Sequence, residues 1–425
     1  MIILSRPPAS KKPTIYRFLV AVLSLTFVSN ASAQESEPQH ALTERVVVAR
    51  ALDRAPLRDA IEGDVAVEAG RARAVRAYPN PQIAYVREQT FGAFGTGEDY
   101  LTVAQTIDLG NRRGLHGEAG EARARAAEQD GEAWQLAIAA EARLRFFDVV
   151  YYQARVVVLE SWVGHIDQAL SIVARREERG DAAPYDRRRL EREQAVARGA
   201  LETERAALER ASAQLLAMLG TATRDRRVAG DLLPEADPHP LSELNSAAAA
   251  RPDLLAMELR IDAAALDLRA ASRWWAPDLR LEAGWKGVDL GPQGRTDGFL
   301  LGASLSIPLW DRSSGASRIA EAQAQSARGR RALLESELHG ELEGARAEAV
   351  SLRRAAEEFR EQTTAASSDL VRIASAGYEG GELGLLELLD AYRGTADDSL
   401  AALDMELAAR RASIDIDRLT GVGLP

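Results

Sequence analysis

Side chains that perform catalysis or bind metals are scarce in this sequence. Its 425 residues include no cysteine, which excludes disulfides, thiolate metal sites, a cysteine nucleophile and a lipid anchor on cysteine. The sequence lacks a Gly-x-Ser-x-Gly elbow, a phosphate-binding loop and a His-Glu-x-x-His motif. The five histidines never approach metal-ligand spacing: His40, His116, His165, His239 and His339. These absences predict a protein that is not an enzyme and that binds no cofactor or resident metal.

The first 33 residues predict export. They hold four basic residues, no acidic residue, the 11-residue apolar run 18–28 and the triplet Ala31-Ser32-Ala33, a pattern typical of a secretory signal peptide cleaved after Ala33. Removing these four positive charges from a net charge of −11 leaves −15, which disfavours nucleic acid as a partner. The rest of the chain has no run of 18 consecutive apolar residues, so it is either soluble or crosses a membrane as strands.

The sequence contains one pattern twice, at an offset of about 200 residues. Residues 105–109 correspond to residues 305–309, and residues 178–181 correspond to residues 379–382. Three prolines within ten residues separate the copies, and such a segment cannot continue a helix. We therefore predict a signal peptide over residues 1–33, a first repeat over 34–230, a linker over 231–240 and a second repeat over 241–425.

Long helices dominate both repeats. Apolar residues recur at alternating steps of four and three along residues 133–158 and again along residues 338–359. This period of 3.5 residues is typical of coiled-coil packing. No proline interrupts the 69 residues from Asn111 to Arg179, so a single helix could extend for about 100 Å.

Two predicted β-hairpins, at about residues 81–108 and 277–308, interrupt the helices. Apolar and polar residues alternate strictly from Leu279 to Lys286, and strands of this kind suit a tilted barrel in an outer membrane. Four strands cannot close a barrel and open edges are not stable in lipid, so we expect three chains to supply 12 strands. Four aromatic residues stand where strand meets helix, as in an interfacial belt or as helix caps of a soluble protein: Tyr78, Trp274, Trp275 and Trp310.

Taken in order, these features resemble the TolC-type outer-membrane efflux proteins over essentially the whole chain after residue 33. The resemblance rests on residues 79–81 before the first strand, residues 105–114 and 308–312 after the second and fourth strands, and the hairpin at 378–390. Residues 105–114 are most similar to the heavy-metal, CzcC-like branch. The resemblance implies a mainly α fold with a tandem internal repeat. Its long coiled-coil α-hairpins would form a trimeric α-barrel joined to a 12-stranded outer-membrane β-barrel, with four strands per chain.

The resemblance also implies a function. It implies a homotrimeric channel in the lipid of the cell outer membrane, with its helical part in the periplasm and no lipid anchor. Such a channel would passively conduct substrates received from an inner-membrane efflux pump and a periplasmic adaptor, in an efflux or secretion system. The residues alone leave open an alternative, a soluble periplasmic coiled-coil adaptor or chaperone.

The resemblance further implies a periplasmic gate. It assigns Glu387 and Asp390 to an acidic ring, although the residues alone also fit a solvated helix face. It assigns Asp186 and Tyr378 to a hydrogen-bonded contact between hairpins. The basic residue that bridges the gate in the family falls on Leu383, so the bridge must differ here. The local candidates for that bridge are Arg187, Arg188 and Arg189.

Overall fold

A computed structural model describes residues 41–92, 95–221, 228–307 and 309–421. The predicted signal peptide, residues 1–33, and Pro308 of the last strand-to-helix junction lie outside these ranges. Within the described ranges, two helices, two strands and two helices follow one another, and the same order then repeats. The predicted fold class, mainly α with four antiparallel strands, is confirmed.

The two halves consist of elements of nearly equal length. The first half contains α1 (Glu44–Leu52), α2 (Ala55–Arg76), β1 (Gln82–Gln89), β2 (Gly97–Asp108), α3 (Arg112–Glu178) and α4 (Pro184–Leu219). The second half contains α5 (Leu241–Ala249), α6 (Pro252–Ser272), β3 (Asp278–Asp289), β4 (Arg295–Ser306), α7 (Ser314–Gly380) and α8 (Leu385–Thr420). Helices α3 and α7 have 67 residues each, and α4 and α8 have 36 each. The predicted boundaries of the two repeats stay a prediction.

Equivalent residues begin and end the longest helices. Asn111 and Ser313 adopt left-handed backbone, with φ of 48° and 55°, directly before α3 and α7. The Asp108 carboxylate accepts two backbone N–H groups beside Asn111, at 3.0 and 2.8 Å. Gly180 and Gly381 have φ of 84° and 79°, and this conformation, which glycine adopts without strain, ends each helix and reverses the chain. Each half therefore contains a β-hairpin followed by a long α-hairpin.

The four strands form one antiparallel sheet in the order β1-β2-β3-β4. The register aligns Tyr85, Leu101, Trp285 and Phe299 in one row across the sheet, and Ile83, Val103, Ala283 and Leu301 in another. These rows lie on the same side of the sheet, here called the apolar face. The other side, here called the polar face, includes the row of Ala84, Thr102, Gly284 and Leu300.

Small residues allow the helices to pack closely. Ala139, Ala142, Ala197 and Ala256 are fully buried at helix contacts, as the alanine-rich coiled-coil pattern predicts. Helix α3 packs against α2, α4, α6 and α8. Of the described helices, α3 has the length and composition to cross a membrane, but a packed core helix has the same properties.

Candidate membrane face and periplasmic gate

The apolar face of the sheet is exposed although its side chains are large. The exposed fractions are 82% for Phe299, 75% for Leu301 and 74% for Ile83. Contiguous apolar surface of this kind marks an interface with protein or lipid. The polar face differs, since Arg280 and Glu282 lie on it between the apolar residues of β3. The sheet thus has one apolar face and one polar face, the arrangement that a membrane β-barrel requires.

The aromatic residues singled out in the sequence lie at the helix-proximal end of the sheet. Tyr78 lies between α2 and β1, Trp274 and Trp275 lie between α6 and β3, and Trp310 lies between β4 and α7. Trp310 is 91% exposed, whereas Trp274 is half-buried beneath the Arg312 guanidinium, 5.6 Å from its ring centroid. The structure therefore brings the four residues to one level, and their role at the membrane interface stays a prediction.

A charged network ends the apolar face near the strand-connecting loops. The buried Asp99 carboxylate accepts hydrogen bonds from Tyr85 at 2.8 Å and from Arg87 at 3.3 Å, both on β1. Arg295 on β4 reaches the same carboxylate at 3.3 Å by crossing Gly287 of β3. A Cβ atom at Gly287 would lie 2.6 Å from both the Arg295 guanidinium and the Trp285 ring, so a larger residue there would displace these side chains. The network ties β1, β2 and β4 together, and the sequence pattern gave no indication of it.

At the opposite end of the chain's long helices, the predicted acidic pair lies at the start of α8. Glu387 and Asp390 are both exposed and lie one helical turn apart. The Glu387 carboxylate folds back toward Gly384, next to the helix N-terminus, where the helix dipole stabilises a negative charge. An open groove of about 360 Å³ contains both carboxylates. It is lined by Arg189, Glu193, Leu386, Glu387, Leu389, Asp390 and Arg393.

Asp186 and Tyr378 do not form the predicted hydrogen bond in the described part of the chain. The Arg176 guanidinium instead lies 4.9 Å from the Tyr378 ring centroid. Burial raises the pKa of Tyr378, the Arg176 cation lowers it, and the Asp186 carboxylate raises it. Asp186 therefore lies close enough to act on Tyr378 through its charge. The assignment of both residues to a gate stays a prediction.

Arg176 bridges the two α-hairpins, and sequence reasoning missed it. Its guanidinium donates to the carbonyl oxygens of Tyr378 at 3.1 Å and Glu379 at 2.8 Å. These carbonyls belong to the last turn of α7, where the helix dipole attracts a cation. The Tyr378 oxygen also accepts the backbone N–H of Gly381, at 3.2 Å. The one indication in the sequence was that Arg176 stands in the last turn of α3, at the same level as the end of α7.

The local arginines proposed for the bridge have other partners. Arg187 pairs with Glu177 at 3.5 Å and with Glu191 at 3.1 Å, all within the first α-hairpin. Arg188 also pairs with Glu191, at 3.4 Å. Arg189 lines the groove that contains Glu387 and Asp390. Of the three, only Arg189 lies beside the predicted acidic pair.

A second polar network joins the hairpins farther from their turns. Tyr151 and Arg155 of α3 both contact Asp404 of α8, and the Arg155 distance is 2.8 Å. Arg155 also pairs with Glu204 of α4 at 2.8 Å. Burial raises the pKa of Tyr151, and its hydrogen bond to Asp404 raises it further. This network anchors α3 to one helix of each hairpin, and the contact at Arg176 is the corresponding link near the turns.

Residues 244–422 match the family described as outer membrane efflux protein. The chain is 26% identical to the cobalt-zinc-cadmium resistance protein CzcC of Cupriavidus metallidurans over 359 residues, which cover 81% of this chain and 82% of that protein.

The chain shares its fold with solved structures of membrane proteins. The CmeC outer membrane channel of Campylobacter jejuni superposes with a TM-score of 0.70 at 14% identity, covering 96% of this chain and 94% of that chain. A membrane protein from Pseudomonas aeruginosa has a TM-score of 0.71 at 23% identity, covering 89% of this chain and 93% of that chain. The matched proteins are efflux and membrane proteins, which fits the expectation that the chain is not an enzyme.

Proposed function

Because the chain belongs to the TolC-type outer-membrane efflux proteins, we propose that three copies form one passive duct across the outer membrane. Its role as an outer-membrane efflux channel follows from this family. In the proposed assembly, the three sheets close a 12-stranded barrel and the long helices of the same chains continue it into the periplasm. An inner-membrane pump and a periplasmic adaptor deliver the substrate.

One observation carries this proposal: the sheet has an exposed apolar face and two free edges. Strands β1 and β4 each pair on one side only within the described residues. Unpaired backbone groups cost several kcal/mol each in hydrocarbon, so the four strands require pairing with further copies. Three copies supply 12 strands, which exceeds the approximate minimum of 8 for a closed membrane barrel. A soluble adaptor or chaperone would leave Phe299 and Leu301 in water without a function.

We place the gate of this duct at the turns of the α-hairpins. Around a threefold axis, Glu387 and Asp390 of each chain would surround a narrow aperture and attract cations. Arg176, held against the last turn of α7, would fix the second hairpin to the first in the closed state. Asp186 and Tyr378 would act at the same level of this gate. Asp186 would act through its charge, and Tyr378 would act by stacking on Arg176.

The cargo proposed for the duct is a divalent metal cation. Support comes from the relative of 26% identity, which is named for resistance to cobalt, zinc and cadmium, and from the similarity of residues 105–114 to the heavy-metal branch. A wide duct needs no binding pocket for its cargo, and the pump and adaptor select it. Deleting the gene should therefore lower tolerance to one or more of these metals. Lost tolerance to organic antibiotics with unchanged metal tolerance would contradict this cargo.

Reconstitution tests the channel itself. Detergent-extracted protein should insert into planar bilayers and produce discrete conductance steps of one size, and mass photometry should give three copies per particle. Membranes washed with carbonate should retain the protein. Recovery as a soluble monomer after the wash would contradict a membrane duct and would support the adaptor or chaperone alternative. Co-purification with a periplasmic adaptor protein from the same cells tests the proposed partner.

A further inference from the structure

One histidine lies in the contact between the two α-hairpins. The imidazole of His165 on α3 stacks on the ring of Tyr392 on α8, with ring centroids 5.0 Å apart and ring planes inclined by 23°. Tyr392 is buried, and its hydroxyl shares a hydrogen bond of 3.0 Å with the Ser375 hydroxyl of α7. The imidazole of the first hairpin therefore rests on a side chain that holds both helices of the second hairpin together.

The surroundings of the imidazole are poor in charge. A cavity of about 190 Å³ beside His165 is lined by apolar and hydroxyl-bearing residues of α3 and α8, including Trp162, Thr395 and Ser399. Among the described residues that line it, Tyr392 is the only other titratable group.

Charged residues of the neighbouring helices lie outside this lining, and they either have partners elsewhere or are exposed. Three ion pairs lie nearby: Asp167 of α3 with Arg198 of α4, Arg393 of α8 with Glu193 of α4, and Asp369 with Arg372, both of α7. Asp398 of α8 accepts a hydrogen bond from Ser367 of α7, and Asp397 of α8 is exposed. Burial lowers the pKa of His165. The neutral imidazole therefore fits this contact, and none of the described residues that line it is a carboxylate that could compensate a positive charge.

We propose that His165 makes the contact between the hairpins sensitive to pH, so that acidification releases the second hairpin and opens the periplasmic end. This inference rests on the proposed function, in which the turn of the second hairpin closes the duct. When the hairpins separate, the imidazole becomes hydrated and regains its ordinary pKa of about 6.5. The released form then binds a proton more readily than the closed form. As the pH falls through this value, the equilibrium shifts toward the released form; above it, the closed contact is fully stable.

Conductance of the closed channel at two pH values tests the inference. The parent protein in planar bilayers should leak roughly three- to tenfold more at pH 5.5 than at pH 7.5, because one linked proton changes an equilibrium by at most about tenfold per pH unit. Both pH values lie above the ordinary pKa range of carboxylic acids and on either side of the ordinary pKa of histidine. His165→Phe preserves stacking without titration and should show no such rise.

Two further variants act as controls. His239→Asn removes an exposed histidine that pairs with Glu243 at 3.3 Å, and it should behave like the parent. Tyr392→Phe removes the hydrogen bond to Ser375 but keeps the stacked ring, so its leak should still rise on acidification. An acid-induced rise that persists in His165→Phe would overturn the inference.

Hydrogen exchange separates the failure of this inference from failure of the channel. In the parent, backbone amides of residues 388–399 should exchange faster at pH 5.5 than at pH 7.5, after correction for the intrinsic pH dependence. The same amides in His165→Phe should not change. Equal corrected exchange at both pH values in the parent would refute the inference even if the channel conducts. A parent that never conducts would contradict the proposed function, and the exchange measurement would still decide the role of His165.

Discussion

A positive charge placed on the apolar face of the sheet should prevent assembly, whereas the same charge one residue away should not. Leu301→Arg and Leu300→Arg change the same residue type on the same strand, and neighbouring residues of a strand point to opposite faces. Leu301 lies in a central row of the apolar face with Ile83, Val103 and Ala283, and Leu300 lies on the polar face. The pair therefore isolates the effect of the face.

The structure sets the expected size of this effect. Leu301 is 75% exposed, so its replacement removes little packing within the chain. The cost should come from arginine in hydrocarbon, which is about 2–4 kcal/mol near the bilayer midplane for each chain. Three copies multiply this to about 6–12 kcal/mol for the trimer, if the sites are independent. Arginine at residue 300 would point into water and should cost less than about 1 kcal/mol.

Outer-membrane fractions from cells that express each variant provide the assay. The amount of trimer should be measured on gels run without heating, and total protein should be measured after denaturation. Leu301→Arg should reduce the trimer to a small fraction of the parent amount, and Leu300→Arg should leave it nearly unchanged. Equal yields from both variants would mean that the apolar face does not contact lipid. A larger loss from Leu300→Arg would mean that the faces are reversed.

Three further outcomes follow from the structure. The double variant Glu387→Ala with Asp390→Ala should weaken block of the pore by trivalent cations roughly tenfold or more, because two carboxylates per chain are lost. Undiminished block would mean that these carboxylates do not line the aperture. Arg176→Gln should raise leakage more than Tyr378→Phe, since it loses a charge-assisted link worth about 1.5–3 kcal/mol; equal leakage would favour the tyrosine hydroxyl as the main contact. Gly287→Val should displace Arg295 and lower the trimer's melting temperature on unheated gels, whereas an unchanged melting temperature would show that this crossing adds no stability.

The periodic parts of the fold could be predicted from the sequence. Steps of four and three residues along α3 and α7, and strict alternation along β3, each report a regular element directly. The unbroken segment after Asn111 predicted a 69-residue helix, and the observed helix has 67 residues. Lengths and element types therefore follow from local patterns, which depend on neighbours a few residues away.

Contacts between distant segments could not be predicted in the same way. Arg176 meets the end of α7 across about 200 residues of sequence, and many other arginines in the chain had comparable local surroundings. The Asp99 network depends on the sheet register and on the missing side chain at Gly287, which only the paired strands reveal. The resemblance assigned a gate to this end of the helices and named Asp186 and Tyr378, and that assignment stays a prediction. The arginine that joins the two α-hairpins in the structure, Arg176 on α3, was not among the residues it named.

Pairing between β1 of one chain and β4 of the next tests the central claim most directly. The chain has no cysteine, so introduced cysteines report only the chosen pair. Ala84→Cys on β1 should be combined in turn with Leu300→Cys, Gly302→Cys and Ser304→Cys on β4, which share the polar face. Ala84→Cys with Thr102→Cys, which are partners within one sheet, is the control and should cross-link inside a single chain.

A closed ring of three chains predicts that at least one β1–β4 combination gives a covalent trimer on denaturing gels after oxidation in the membrane. The control should migrate as a monomer. Monomers from every β1–β4 combination, alongside an efficiently cross-linked control, would contradict the 12-stranded barrel.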